Sequence, residues 1–489
     1  MTLHDTILSL LALQGVIGAF DVIYHHELRC ALPQQLSAAY ELRLHAIRSC
    51  LYGVVFAGLA WFVWGGAWLF LLWGIVLIEV VLTLMDFVEE DRTRRLPPSE
   101  RVTHTILAIN GGVLFGLLGW LSLDWAELGT GVYWTPSGGL SIALTVMAVG
   151  VAASGIRDGF ASRVLSRSKA PEPFDFGSAA QTFLISGGTG FIGQALVRAL
   201  LEQGHAPILL ARDPLKASML FQGRVRCITS MDQLDPDSCV DVVVNLAGEK
   251  ILGRPWSAAR KASLIESRVR TTEALVEWMG KARKKPRVML SASAVGFYGE
   301  QHVDDASVLD EASPGKEGFT TELCQSWENS ARKVVELGVP LKLLRLGLVF
   351  GGGGGALPPM LLPIRLGLGG SLGSGRQIMS WVHLHDVLGV MAWLCRGGAS
   401  SGNGAKAYNV VAPENPSQRE FVAVAARLLR RPAFFKTPEG PLRRLLGEQS
   451  CLLLDGQRVS PRRLREEGYA FRFATLSSAL ADVCGKTPA

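Results

Sequence analysis

Five apolar runs lie between residues 6 and 156, and the first 165 residues hold nearly all the long apolar runs of this chain. They fall at about 6–24, 48–64, 66–85, 102–122 and 138–156, each near the ~20 residues that a helix needs to cross the hydrocarbon core of a bilayer. Irregular backbone in lipid would leave peptide groups unpaired, so these runs are expected to be helical. Only "GGAW" separates the second from the third, which suggests a tight helical hairpin. The start, "MTLHDTILSL", lacks the basic region and cleavage site of a secretory signal, so the first run is expected to stay as an anchor.

The basic residues give these spans a direction. Arg29, Arg43 and Arg48 lie between the first and second runs, and Arg92, Arg94, Arg95 and Arg101 between the third and fourth. Arg157, Arg163, Arg167 and Lys169 follow the fifth, and the other two connections contain no Lys or Arg. With five spans every basic segment falls on one side, which predicts a multi-pass protein of a bacterial-type inner membrane with its C-terminal part in the cytoplasm. Trp120, Trp125, Tyr133 and Trp134 suit an aromatic belt on the far side. The bilayer is thus an expected partner.

Polar residues interrupt this half. Glu79 sits within the third run, where a carboxylate needs a partner. Asp21, His25, His26, Glu27, Glu41, His45, Asp86, Glu89, Glu90 and His104 gather near the cytoplasmic ends. Glu41 and His45, four apart, share a helical face. Carboxylates and imidazoles from several helices can hold a metal, with His25, Glu41, His45 and His104 as candidate ligands. The competing reading is headgroup-level charge paired with nearby arginines, since no motif such as H-E-x-x-H is present.

Composition narrows the remaining choices. Hydrophobic residues make up 48% and charged ones 19%, and the net charge of +6 is too dispersed to indicate a nucleic-acid partner. The eight cysteines form no C-x-x-C pair, as expected of reduced thiols facing a cytosol.

The pattern changes after the membrane half. Residues 1–165 form the expected transmembrane domain, and 166–180, "SRSKAPEPFDFGSAA", read as a tether. From 181 to 430 the sequence suggests a nucleotide-binding α/β domain, with a smaller substrate lobe at 431–489. "TFLIS" (182–186) is a strand, "GGTGFIG" a glycine turn, "QALVRALLEQG" a helix and "APILLAR" a second strand. This β-α-β unit opens a Rossmann-type, doubly wound parallel sheet. Gly187, Gly190 and Gly193 allow a tight turn, close approach of a pyrophosphate, and close helix–strand packing. The helix N-terminus then offers N–H groups and positive potential to phosphate. The second strand ends at Arg212, suited to a 2′-phosphate, with Asp213 next to it, which favours NADP(H) over NAD(H).

"DVVVNLAG" (241–248), a long helix and "RVMLSASA" (287–294) continue the alternation. Together with "RKASLIESRVRTTEAL", "SASAVGFYG", "LRLGLVFGGGGGALPPMLLPIRLGLGGSLGSGRQIMSWVHLHDV" and "LLLDGQRVSPRRLREEGYAFRF", this region resembles the atypical extended short-chain dehydrogenase/reductase proteins called sugar-nucleotide epimerase-like. The resemblance spans about 182–480 and leaves the membrane half outside it. It implies an NADP(H)-binding Rossmann sheet with a C-terminal lobe closing over a small-molecule or lipid-like substrate. Gly187, Gly190, Phe191, Ile192 and Gly193 would form the phosphate turn, Arg212 would meet the 2′-phosphate, and Asn245, Ala247 and Gly248 would lie beside adenine and ribose. Ser293, or alternatively Ser291, would polarise a carbonyl.

One part of that pattern is missing. Extended short-chain enzymes use a Tyr as general acid, with a Lys four residues on. Counting back from Trp327-Glu328 puts those positions at Phe319 and Leu323. A substitute is sought at Tyr298 and His383, with Glu322 and Cys324 on the helix itself. Arg268, Arg345, Arg376 and Asp386 are candidates for holding substrate. Three functions stay open: an oxidoreductase or epimerase-like enzyme acting on a membrane-associated or amphipathic substrate, a non-catalytic NADP(H)-binding regulator or assembly factor, or a metal or quinone site in the membrane half.

Overall fold

The computed structural model describes residues 2–29, 32–34, 38–93, 98–167, 174–352, 354–397 and 404–484. Arg94, Arg95 and Lys169 of the basic segments, and residues 168–173 of the tether, lie outside the described residues. The chain forms two compact units, residues 1–169 and, apart from 219–223, residues 170–489.

The first unit is helical. Helix α1 (Leu3–Phe20) begins with a reciprocal cap, in which Thr2 Oγ1 accepts from the Asp5 amide and the Asp5 carboxylate accepts from the Thr2 amide. It widens into a π-helical stretch over Asp21–Arg29. Helices α2 (Ala39–Trp61), α3 (Trp68–Thr93), α4 (Pro98–Ala126) and α5 (Gly139–Arg167) follow. Five helical spans, beginning at Leu3, Ala39, Trp68, Pro98 and Gly139, are long and apolar enough to cross a membrane. Ile7, Leu11, Phe56, Leu59, Leu118 and Leu144 pack inside the unit, while Phe70, Leu77, Ile109, Trp120 and Val146 point outward. Apolar side chains thus cover both the inner and the outer faces of these helices.

Two features depart from the sequence expectation. The "GGAW" hairpin is not wholly helical, because β1 (Phe62–Gly65) pairs antiparallel with β2 (Gly131–Trp134). That ladder satisfies the peptide groups which the ends of the two helical connections would otherwise leave unpaired. Trp125 is buried in the core and so leaves the proposed belt, whereas Trp120, Tyr133 and Trp134 remain exposed.

The second unit holds a seven-stranded sheet. Its strands are β3 (Thr182–Ser186), β4 (Ala206–Leu210), β5 (Arg226–Ile228), β6 (Val242–Asn245), β7 (Val288–Ala294), β8 (Leu341–Leu346) and β11 (Ala405–Val410). They run β11-β8-β7-β6-β3-β4-β5, every neighbouring pair parallel. Helices α6 (Phe191–Glu202), α7 (Pro214–Leu220), α8 (Ala258–Lys281), α9 (Phe319–Arg332) and α11 (Leu384–Cys395) intervene in the chain, which is why β6 and β7 read as near-continuous apolar runs. Strand order reverses between β3 and β6, the place where sheets of this kind leave a ligand crevice at their C-terminal ends. A smaller parallel pair, β9 (Leu348–Phe350) with β10 (Trp381–His383), packs beside α10 (Leu357–Arg365) and α12 (Gln418–Leu429). Phe350, Leu357, Trp381, Phe421, Phe473 and Leu480 form the core of that lobe.

Register aligns two polar rows across the sheet. Ser186 stands opposite Asn245, and Asn245 opposite Ser291. Ser293 stands opposite Arg345, and Arg345 opposite Asn409.

Candidate functional site

The glycine turn between β3 and α6 is shaped by contacts that only glycine permits. Gly187 has φ +73°, and a Cβ there would come within 2.5 Å of the Leu246 carbonyl oxygen. A Cβ on Gly193 would lie 2.2 Å from the Gly187 oxygen, so the helix could not approach the turn with any other residue. Gly190 caps α6, and the Gly190 amide donates to the Gly187 carbonyl at 3.0 Å. Phe191 and Ile192 form the first turn of α6, whose leading amides point out of the helix N-terminus. The Phe191 ring lies against the loop after β9, where a Cβ on Gly354 or Gly355 would collide with it. This cradle fits the pyrophosphate of a dinucleotide.

At the end of β4, Arg212 is exposed and makes no hydrogen bond or ion pair among the described residues. Asp213 is engaged, because its carboxylate accepts from the Lys216 amide at 2.9 Å and starts α7. The acid is therefore tied to the helix while the guanidinium is available.

The first polar row is consumed by the fold. Ser186 Oγ donates to Asn245 Oδ1 at 2.6 Å, and Asn245 Nδ2 donates to Thr272 Oγ1 at 2.8 Å and Ser291 Oγ at 3.3 Å. Asn245 and Ser291 are both fully buried, so their side chains hold strands together beneath the turn. Ala247 and Gly248 follow in the loop that touches Gly187. Arg268 buttresses that loop. It donates to the Glu249 carbonyl at 3.0 Å and the Leu264 carbonyl at 2.9 Å, and its guanidinium lies 5.1 Å from the centre of the Trp327 ring.

The second row forms a closed network. Arg345 and Glu328 make a two-pronged ion pair at 2.9 and 3.1 Å, and Ser293 Oγ donates to the same carboxylate at 2.8 Å. Arg345 also donates to the Tyr298 hydroxyl at 3.0 Å, and that hydroxyl donates to Asn409 Oδ1 at 2.7 Å. The Arg345 guanidinium stacks 3.4 Å above the Phe297 ring. This arrangement corrects the expectation for two residues. Tyr298 has no exposed surface, its hydroxyl is fully engaged, and burial raises its pKa, so it cannot serve as a free proton donor. Arg345 has its anion within the chain and is not left to hold substrate.

The helix that should carry the acid is offset by one residue from the sequence count. Phe319 and Leu323 pack with Trp256, Leu264 and Cys451, away from the serine strand. The face turned to β7 carries Thr320, Cys324 and Glu328, spaced four apart. Thr320 lies against Gly296, Cys324 Sγ is 3.7 Å from the Ala294 carbonyl, and Glu328 receives Ser293. A Tyr-x-x-x-Lys pair beside Ser293 would therefore stand at Thr320 and Cys324. Burial, with Glu328 adding to it, pushes the Cys324 thiol up to about 11.

Three candidates from the second lobe have structural partners. His383 caps α11, its Nδ1 accepting from the His385 amide at 3.1 Å, and its ring packs on Phe473. Buried Asp386 accepts from the Arg472 and Phe473 amides at 2.8 and 2.9 Å, pinning the C-terminal segment and correcting its reading as a substrate ligand. Arg376 forms an exposed ion pair with Asp304 at 2.6 Å. In the first unit, His25, Glu41, His45 and His104 are gathered in one polar cluster with His26, Glu90 and Glu100.

Comparison with known proteins matches the second unit. Residues 183–410 match the NAD dependent epimerase/dehydratase family, and residues 437–483 match a domain of unknown function, DUF1731. The mouse epimerase family protein SDR39U1 is 36% identical over 304 residues, which cover 61% of this chain and 98% of that protein. The Bacillus subtilis epimerase family protein YfhF is 31% identical over 302 residues, covering 61% of this chain and 96% of that protein. The crystal structure of human SDR39U1 (isoform 2) with NADPH superposes with a TM-score of 0.54 at 33% identity, covering 63% of this chain and 100% of that one.

Proposed function

Because this chain belongs to the NAD dependent epimerase/dehydratase family, as an SDR39U1-type atypical short-chain dehydrogenase/reductase, we propose that its second unit binds NADP(H) and acts through that binding. A Ser-Tyr-Lys proton relay is not part of this reading. The carrying observation is the face opposite β7, which presents Thr320 and Cys324 and commits Ser293 to Glu328. Gly187, Gly190, Phe191, Ile192 and Gly193 would cradle the pyrophosphate, and Arg212 would meet the 2′-phosphate. Ala247 and Gly248 would line the adenosine side. NADP(H) supplies hydride chemistry when bound, and the relative crystallised with NADPH supports this choice of cofactor. The first unit would anchor the protein in a bacterial-type inner membrane with the second unit on the cytoplasmic side, as the one-sided arginines suggest.

A second reading, an oxidoreductase or epimerase-like enzyme on a membrane-associated or amphipathic substrate, is favoured by Thr320. Its hydroxyl makes no hydrogen bond among the described residues and stands on the face where an acid belongs. Membrane attachment would raise its encounter with such a substrate through effective concentration. The experiment is NADPH titration of the full-length chain, followed by an NADPH-oxidation assay with a membrane extract. Saturable binding without turnover is expected, and Thr320→Tyr with Cys324→Lys should bring slow reduction of simple carbonyls. Turnover by the unaltered chain that Thr320→Val abolishes would replace the binding reading with the enzymatic one.

A further inference from the structure

The basic-end cluster of the first unit has the geometry of a coordination site. His26, Glu90, Glu100 and His104 each offer a ligand atom, all within 4.8 Å of one another, and Glu41, His45 and Glu90 do the same. Glu90 belongs to both groups. Each group is built from a Glu-x-x-x-His pair on one helix, Glu41/His45 on α2 and Glu100/His104 on α4, with Glu90 projecting between them from α3. His26 comes from the π-helical stretch that ends α1. Such wide turns recur at functional sites.

The imidazoles are oriented as metal ligands are. His45 Nε2 lies 3.0 Å from the Asp86 carboxylate, and its Nδ1, buried on the other side of the ring, makes no hydrogen bond. Asp86 is itself held by Arg48. His104 Nε2 lies 3.0 Å from Asp21, while its Nδ1 faces Glu90 at 3.4 Å. In both residues one ring nitrogen meets an outer carboxylate and the other turns inward, the pattern by which carboxylates fix ligating histidines. His26 Nε2 is also buried without a hydrogen bond, 3.4 Å from both the Asp21 and the Glu100 carboxylates, and its ring stacks on that of His45 at 4.7 Å. Two stacked imidazoles, with His45 Nδ1 buried and unbonded and His26 Nε2 facing two carboxylates beyond hydrogen-bond geometry, leave room for an ion among them.

The geometry points to a two-metal site for divalent first-row transition ions, bridged by Glu90, with His26, Glu100 and His104 on one side and Glu41 and His45 on the other. Three imidazoles and three carboxylates are a nitrogen–oxygen set that suits manganese, iron, cobalt or zinc better than calcium or magnesium. Placing carboxylates and Glu–His pairs on facing helices is how helical bundles build such centres.

The test uses the full-length chain in detergent, purified without a polyhistidine tag and treated with a chelator, then titrated with Co2+ alone. Wild type should take up about two equivalents and develop the visible absorption of nitrogen-ligated Co2+. Glu41→Gln with His45→Asn should remove the smaller group's ion and leave about one. Asp86→Asn should keep the stoichiometry and weaken affinity roughly 10–100-fold through the outer carboxylate. Glu79→Gln is the control for loss of a buried charge, because Glu79 is partnered by Thr83 and Arg48 and lies outside both groups. Unchanged uptake in Glu79→Gln supports the assignment. Wild type without Co2+ absorption, or an equal loss in Glu79→Gln, would overturn it.

Discussion

Two buried polar networks, one in each unit, use similar side chains to different ends. In the second unit Arg345, Glu328, Ser293, Tyr298 and Asn409 satisfy one another through hydrogen bonds of 2.7–3.1 Å, and the Arg345 cation finds its anion in Glu328. In the first unit Asp86 meets one nitrogen of His45, and Asp21 meets His25 and one nitrogen of His104, while the remaining nitrogen of His45 and Nε2 of His26 make no hydrogen bond. A network that closes on itself is structural. One that leaves donor-capable atoms converging on a point is built for something else. The same criterion separates Arg345, which is occupied, from Arg212, which is not.

The closed network is the easier one to break. Glu328→Ala would leave the Arg345 guanidinium buried and unpaired, and breaking such a pair typically costs ~3–5 kcal/mol. Hydrogen exchange of the β8 amides should register that loss as a fall in protection, and the Glu328→Leu, Arg345→Leu double variant should recover most of it. If Glu328→Ala leaves β8 protection unchanged, Arg345 is being neutralised by something other than Glu328.

Cys324 reports on the same interior through pH. Its folded value of about 11 lies above the ordinary thiol value of about 9, so the unfolded chain loses this proton first as pH rises. The contribution is fully present below the unfolded pKa and fades as pH climbs through the folded one. That difference corresponds to about 2–3 kcal/mol of stability lost between those pH values. Comparing the alkaline unfolding of wild type with Cys324→Ser isolates this thiol from buried Cys395 and Cys451, whose pKa values are also raised. The variant should show the shallower decline. Ready alkylation of Cys324 in the folded protein at neutral pH would contradict its burial.

Local patterns were legible in the sequence, and long-range partners were not. Hydropathy runs gave the five long apolar helices, and a strand, glycine turn and helix gave the start of the Rossmann sheet, because each signal lies within some 30 residues of chain. The sequence places the helix that would carry the acid, but its count is displaced by one residue from the face that meets β7. Phe319 and Leu323 have the same four-residue spacing as Thr320 and Cys324, so periodicity alone does not say which face meets β7. The apolar character of the first pair, joined to Trp327 nearby, was the signal that it faced the core. Glu328 carries no visible role in the sequence because its partner Arg345 lies across the sheet, in a strand whose register cannot be counted from the helix. Glu41 with His45 was readable as one face, but Glu100 was missed, although its spacing to His104 repeats the same pattern. The ribbon between β1 and β2 joins segments almost 70 residues apart and left no local mark.

Arg212 gives the smallest and most selective test of the distinction between occupied and unoccupied charges. It stands exposed at the end of β4, beside an aspartate already committed to the α7 turn. A guanidinium meeting a 2′-phosphate gains charge-assisted hydrogen bonds that NADH cannot offer. NADPH should therefore bind about 10-fold more tightly than NADH, a difference of ~1.4 kcal/mol. Arg212→Ala should bring the two affinities together by weakening NADPH alone, because the pyrophosphate cradle at Gly187–Gly193 is untouched. Raising salt should narrow the gap in wild type and have little effect on it in the variant, since an exposed ion pair is screened. Equal affinities in wild type would remove Arg212 from the site. A loss of both cofactors in Arg212→Ala would mean that the arginine holds the turn itself, and would move it into the same class as Arg345.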